Sequence, residues 1–92
     1  MIVTNLLTVH NQLKIHHWQT KSYAEHQALG GVYDEFSDLI DQFIEVFMGK
    51  YGRIESQGGF KIELSNYKEL SPMDFCDKYI VYLVIQISHI KL

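Results

Sequence analysis

The chain has 92 residues, of which 47% are apolar, 21% charged and 13% aromatic, with a single proline. That length holds one domain, and that composition excludes disorder, collagen and low-complexity sequence. A net charge of −3 argues against a broadly basic nucleic-acid surface, and a lone cysteine, Cys76, excludes a disulfide framework or a CxxC zinc site.

Cysteine usage points to a reduced, intracellular setting. No basic stretch followed by a long apolar core opens the chain, so no signal peptide is expected. The apolar-rich run from Tyr79 to Ile87 is too short to span a bilayer, and no membrane association is expected. A domain this small buries a modest share of its surface, which makes an oligomer the expectation.

The first segment, about 2–19, reads as a helix with Ile2, Leu6, Val9, Leu13 and His17 on one face and His10 beside them. Thr20-Lys21 breaks it. Ser22 and Glu25 then fit a capping box, in which the Ser oxygen takes the Glu25 amide and the Glu carboxylate reaches back to the Ser22 amide. A second helix follows over 22–51, with a kink or restart expected at Gly30-Gly31. Gly52 suits the position just past its end. Residues 53–70 read as irregular. Gly58-Gly59 marks a turn, and Phe60, Ile62 and Leu64 alternate as a short strand or extended arm would. Ser71-Pro72 offers an N-cap with proline at the first helical position. The segment 72–91 is β-branched in composition, but its length, its cap and the spacing of Phe75, Tyr79, Leu83, Ile87 and Ile90 favour a third helix. The expected fold class is all-α.

Charge is unevenly placed. Between Ser22 and Gly49 there is no Lys or Arg, but there are six acids, Glu25, Asp34, Glu35, Asp38, Asp41 and Glu45. On a helix Asp34, Asp38, Asp41 and Glu45 form one narrow stripe, and Phe36, Ile40, Phe43 and Phe47 form another on the opposite side. A solvated back to a core face explains the acids. So does a metal or partner, because like charges four apart repel and no Lys or Arg along the stripe relieves them. Such a metal would need ligands from another helix or subunit. Of the histidines, His17 is placed on the packed face of the first helix and His26 one turn into the second. His10 and His16 read as packing or solvent groups, and His89 carries no assignment. Cys76 reads as a small core residue rather than a nucleophile.

The segment Leu13-Lys14-Ile15-His16-His17-Trp18-Gln19, followed by Tyr23-Ala24-Glu25-His26, resembles the mini-ferritins of the Dps type. In that family a helix ends in a His-Trp pair, a second His follows a short turn, and the next helix carries Asp-x-x-x-Glu. Asp41 and Glu45 stand at the corresponding offset from His26. The chain resembles still more closely small phage and giant-virus proteins of ferritin-like type, through the His16–His26 segment and through Gly49 to Ile54. The resemblance implies a ferritin-like bundle that forms at least a homo-dimer. It implies iron held between His17 and His26 of one chain and Asp41 and Glu45 of another, with ferroxidase-type Fe(II) oxidation if the site is active. The spacing of the two histidines is shorter here than in the Dps pattern, and the chain offers three helices where such a bundle has four. No Lys-rich tail of the kind that holds DNA is present. The alternative is a non-catalytic structural or interaction protein, a phage or virus component that keeps only the helical scaffold. Either would reside in a cytoplasm or, if viral, in the virion.

Overall fold

A computed structural model describes residues 2–90. It is all-α, with no strand among the described residues. Helix α1 spans Ile2–Gln19 and α2 spans Tyr23–Tyr51. The short link between them folds the two back as an antiparallel hairpin. At 1.5 Å per residue α2 is about 44 Å long and sets the longest dimension of the molecule, 42 Å. The third helical stretch has three parts: α3 (Pro72–Phe75), a π-helical turn (Cys76–Ile80) and α4 (Val81–Ser88).

Helix α1 is the centre of the fold. Its Ile2, Val3, Leu6, Val9 and Leu13 are buried, whereas α2 contributes only Leu29 to the fully buried core, and the third stretch contributes Phe75 and Leu83. The hairpin partner α2 covers one side of α1 with half-buried Tyr33, Phe36, Ile40, Phe43 and Phe47. The irregular arm 53–70 covers the Gln12–His16 side, and helix α4 lies between the two, meeting the arm near Tyr82 and Leu83 and sharing an apolar groove with α2 through Ile87. An Asn5 amide to Gln86 carbonyl bond of 2.6 Å ties α4 to α1.

The π-helical turn has a packing reason. In a regular α-helix, residues eight apart sit about 80° out of line. The wider i→i+5 turn takes up that offset. Phe75 and Leu83 therefore both reach the core.

Two local expectations need correction, and of the short strand or extended arm expected around Phe60 the arm is found. Helix α2 runs unbroken through Gly30-Gly31 with no restart. The segment around Phe60, Ile62 and Leu64 is an extended arm without strand pairing. The capping box is a relay: the Glu25 amide donates to Ser22 Oγ at 3.2 Å, but the Glu25 carboxylate accepts from Thr20 Oγ1 at 2.7 Å, and Thr20 Oγ1 takes the Ser22 amide at 3.2 Å. At the far end Gly52 has φ 87°, which disfavours any side chain, and its amide returns to the Met48 carbonyl at 2.9 Å. The radius of gyration, 14.0 Å, exceeds the roughly 12 Å of a compact domain this long.

Candidate functional site

Two constellations flank the α1–α2 junction. The first fastens the arm. Gln12, His16 and Gln19 stand at i, i+4 and i+7 on α1, one polar row beside the apolar one. Gln12 grips the Ser65 backbone twice: its Nε2 donates to the Ser65 carbonyl and its Oε1 accepts the Ser65 amide, both at 2.8 Å. His16 donates from Nε2 to the Leu70 carbonyl at 2.6 Å. Gln19 accepts the Tyr67 amide at 2.7 Å and donates to the Asn66 side chain at 2.9 Å. A segment without secondary structure thus has part of its main chain satisfied by side chains of a helix, the requirement for burying irregular backbone.

His16 is fully buried, with the rings of Tyr67 and Phe75 edge-on to it. Because a carbonyl only accepts, Nε2 carries the proton and Nδ1 bears the lone pair; that Nδ1 is buried without a hydrogen-bond partner. This reverses the expected order of the two adjacent histidines. His17, placed by periodicity on the packed face, is half-buried, and His16 is the core residue. The reason is the arm. It adds a second cover over the Gln12–His16 side, which helical periodicity alone does not register.

Above this clasp, the Glu25 carboxylate lies below its ordinary value of 4.5, first because Thr20 and then because Tyr67 donates to it. The Tyr67 hydroxyl is pushed above 10.0 by the same bond to Glu25 and by desolvation. Glu25 thus links the N-terminus of α2 to the arm.

The second constellation is the His17–His26 pair. Their rings stack at 3.8 Å between centroids with an interplanar angle of 16°. Each ring donates from Nδ1 to the other residue's backbone carbonyl, His17 to His26 at 2.6 Å and His26 to His17 at 2.8 Å. The reciprocal pair closes the hairpin. It also fixes both tautomers when neutral, leaving both Nε2 atoms as lone-pair donors, the form a metal takes. Imidazole lone pairs lie in the ring plane, however. Near-parallel rings therefore keep the two lone pairs in separate, near-parallel planes, and as stacked the two do not converge on a single ion.

Gly30 makes this packing possible. A Cβ there would come within 2.8 Å of His17 Cε1. The glycine inside α2 is a seat for the His17 ring, not a hinge. Gly30, four residues after His26, therefore supports the pair.

The carboxylates lie elsewhere. Asp34, Asp38, Asp41 and Glu45 are all exposed, on the side of α2 away from the core. Asp41 is fifteen residues beyond His26, about 22 Å along the helix axis. Among the described residues no three His, Cys, Asp or Glu side chains come together as a metal-holding group. Within one chain His17 and His26 are brought together, Asp41 and Glu45 share a face one turn apart, and the two pairs remain separate. Cys76 is half-buried, and burial, then the Asp77 carboxylate, push its thiol above the ordinary range, which leaves no activated nucleophile there.

A third feature is apolar. Val32, Leu39 and Val46 on α2 are about half exposed, and so are Val81, Tyr82, Val84 and Ile85 on α4. Leu39 also lines an apolar groove of about 300 Å³ with Leu6, Phe36, Ile40, Phe43 and Ile87. The seven-residue spacing of Val32, Leu39 and Val46 is the sequence signal that marks this flank. It is masked by the stronger stripe of Phe36, Ile40, Phe43 and Phe47 next to it. Among the described residues no helix is long and apolar enough to cross a membrane.

Comparison with known proteins places these features in a family. The model of a family of unknown function, DUF5856, matches residues 17–91. An uncharacterized 14.6 kDa protein from the mobD-ri intergenic region of Enterobacteria phage T4 is 49% identical over 37 residues, covering 40% of this chain and 29% of the phage protein. The chain therefore spans under a third of that relative's length. No solved structure matches.

Proposed function

We propose that this chain, which belongs to the DUF5856 family of unknown function, is a non-catalytic helical subunit whose open apolar flank docks a protein partner, in a phage or related viral setting. The exposed flank carries the reading. Val32, Leu39 and Val46 follow one another along α2 about half exposed, Leu39 lines a groove whose floor is apolar, and exposed apolar surface of that kind on a small protein marks an interaction site. The phage relative supports the setting, with the host cytoplasm or the virion as the place of action. The arrangement of the polar groups supports the non-catalytic part. The polar side chains buried beside α1 hold backbone, the thiol is unactivated, and the histidine rings are engaged with each other.

A second reading keeps the metal. It is favoured by the Nδ1 bonds of His17 and His26, which leave two Nε2 lone pairs at the junction. Here His17 or His26 would each offer one nitrogen to an iron ion completed by Asp41 and Glu45 from a second chain, carboxylates suiting Fe(III) and imidazoles Fe(II). Iron would then be the substrate of any oxidation.

Anaerobic titration separates the two. The chain and its Asp41→Ala variant are melted with and without Fe(II). The scaffold reading expects no gain in thermal stability from Fe(II) in either protein. A gain in the wild type that vanishes in Asp41→Ala would favour the metal reading, because an ion bound only by the folded state raises the melting point.

A further inference from the structure

We infer that the partner on the open flank is a second copy of this chain, packed antiparallel along α2 about a two-fold axis at Leu39. This rests on the interaction reading above and names its partner.

The pattern of the stripe is the first argument. A two-fold interface must be self-complementary: where residue i meets residue j, j must meet i. Val32, Leu39 and Val46 read the same from either end, with the larger side chain in the middle. Two antiparallel copies set Leu39 against the partner's Leu39 and Val32 against the partner's Val46. Residues seven apart drift only about 20° around an α-helix, so the three stay on one seam over two turns at each side. Leu39 lies at the mouth of the groove that Phe43 and Ile87 help to line. The partner's Leu39 would enter that groove, and the reverse holds by symmetry.

Surface area is the second argument. The chain exposes 6497 Å². A folded monomer of 10.8 kDa exposes about 5,500 Å² by the usual scaling. The excess, about 1,000 Å², is close to the roughly 800 Å² that each partner contributes to a standard-size interface.

Charge is the third. At 100° per residue, the stripe of Asp34, Asp38, Asp41 and Glu45 lies about 130° around α2 from the Val32–Leu39–Val46 seam. Two copies can bury the seam without facing carboxylates against carboxylates. A dimer built through the acidic stripe would have to oppose four charges of each chain with four of the other. The seam dimer also leaves Asp41 and Glu45 pointing outward, so it needs no ion.

Sedimentation velocity with site-directed crosslinking tests this, in a Cys76→Ser background so that the only thiols are introduced ones. The expected result is a dimer that persists in chelator and whose dissociation constant rises at least tenfold in Leu39→Glu. Leu39→Cys should crosslink to itself through a short bis-maleimide. Val32→Cys and Val46→Cys should each crosslink poorly alone, being about 21 Å from their own counterparts along the axis, and well when mixed. A dimer untouched by Leu39→Glu, or a Val32→Cys chain that crosslinks to itself, overturns the antiparallel seam and leaves the interaction reading standing. A monomer that binds an apolar dye, with Leu39→Glu reducing the dye signal, also overturns the second-copy inference and points the flank at another protein. A monomer that binds no dye overturns both.

Discussion

The two sides of α1 are finished to different degrees. On one side the arm is pinned by Gln12, His16 and Gln19, and Phe75 is 1% exposed beneath it. On the other, α2 and α4 both lean on α1 yet leave Val32, Leu39, Val46 and Val84 about half in water. Covering irregular backbone demands that each buried polar group find a partner, and the chain spends three side chains of α1 on that. Covering an apolar helix flank demands only another apolar surface, which a second chain can bring. One side therefore serves stability of the single chain, and the other is where association acts.

The contrast can be broken by mutation. The largest loss is expected for Phe75→Ala, about 3–5 kcal/mol of unfolding free energy in a denaturant titration, because the ring is fully enclosed and its removal leaves a cavity. Gln12→Ala is expected to cost about 1–3 kcal/mol, since it strands both the amide and the carbonyl of Ser65. A loss as large from Leu39→Ala, measured at concentrations where the chain is monomeric, would mean that the open flank already works as core.

Gly30→Ala sharpens the picture at the junction. Helix propensity alone favours alanine by about 1 kcal/mol. Against that, its Cβ would sit 2.8 Å from His17 Cε1, and the ring is held by its stack and its bond to the His26 carbonyl. Net destabilisation is expected. In a His17→Ala background the same substitution should become stabilising by up to about 1 kcal/mol. Thermal melts of the four proteins in this cycle check the change of sign.

The smallest effect concerns pH. Glu25 is held below its ordinary 4.5 by Thr20 and Tyr67, so its ionised form favours the folded state. That contribution is fully present above 4.5 and is lost as the pH falls through the lowered folded value. Tyr67 behaves oppositely. Its raised value favours the protonated folded form, so its share is present below 10.0 and lost as the pH rises past it. Glu25→Gln should flatten the acid limb of a pH–stability curve by slightly lowering stability at neutral pH while leaving stability below the acid transition nearly unchanged.

How much of this was legible in the sequence follows from physical range. The helices, the Ser22 cap and the Ser71-Pro72 start are local, and residues three or four apart specify them. The acidic stripe and its separation from the Phe36–Phe47 face were legible for the same reason. The exchange of His16 for His17 was not, because burial of His16 depends on Leu70, 54 positions away, and on Phe75. Nor was the role of Gly30, which looks like a helix breaker until the His17 ring is placed against it. The ferritin-like pattern pointed to His17, His26, Asp41 and Glu45 as one site. The chain itself stacks the two histidines and leaves the carboxylates about 22 Å away, where only a second chain could join them.

Amide hydrogen exchange at two protein concentrations tests the central contrast most directly. The account expects protection of α2 around residues 32–46 and of α4 to rise with concentration, while protection of the arm around 65–70 and of α1 near Gln12 and His16 stays constant. Protection that is independent of concentration along α2, or a gain confined to the arm, would contradict it.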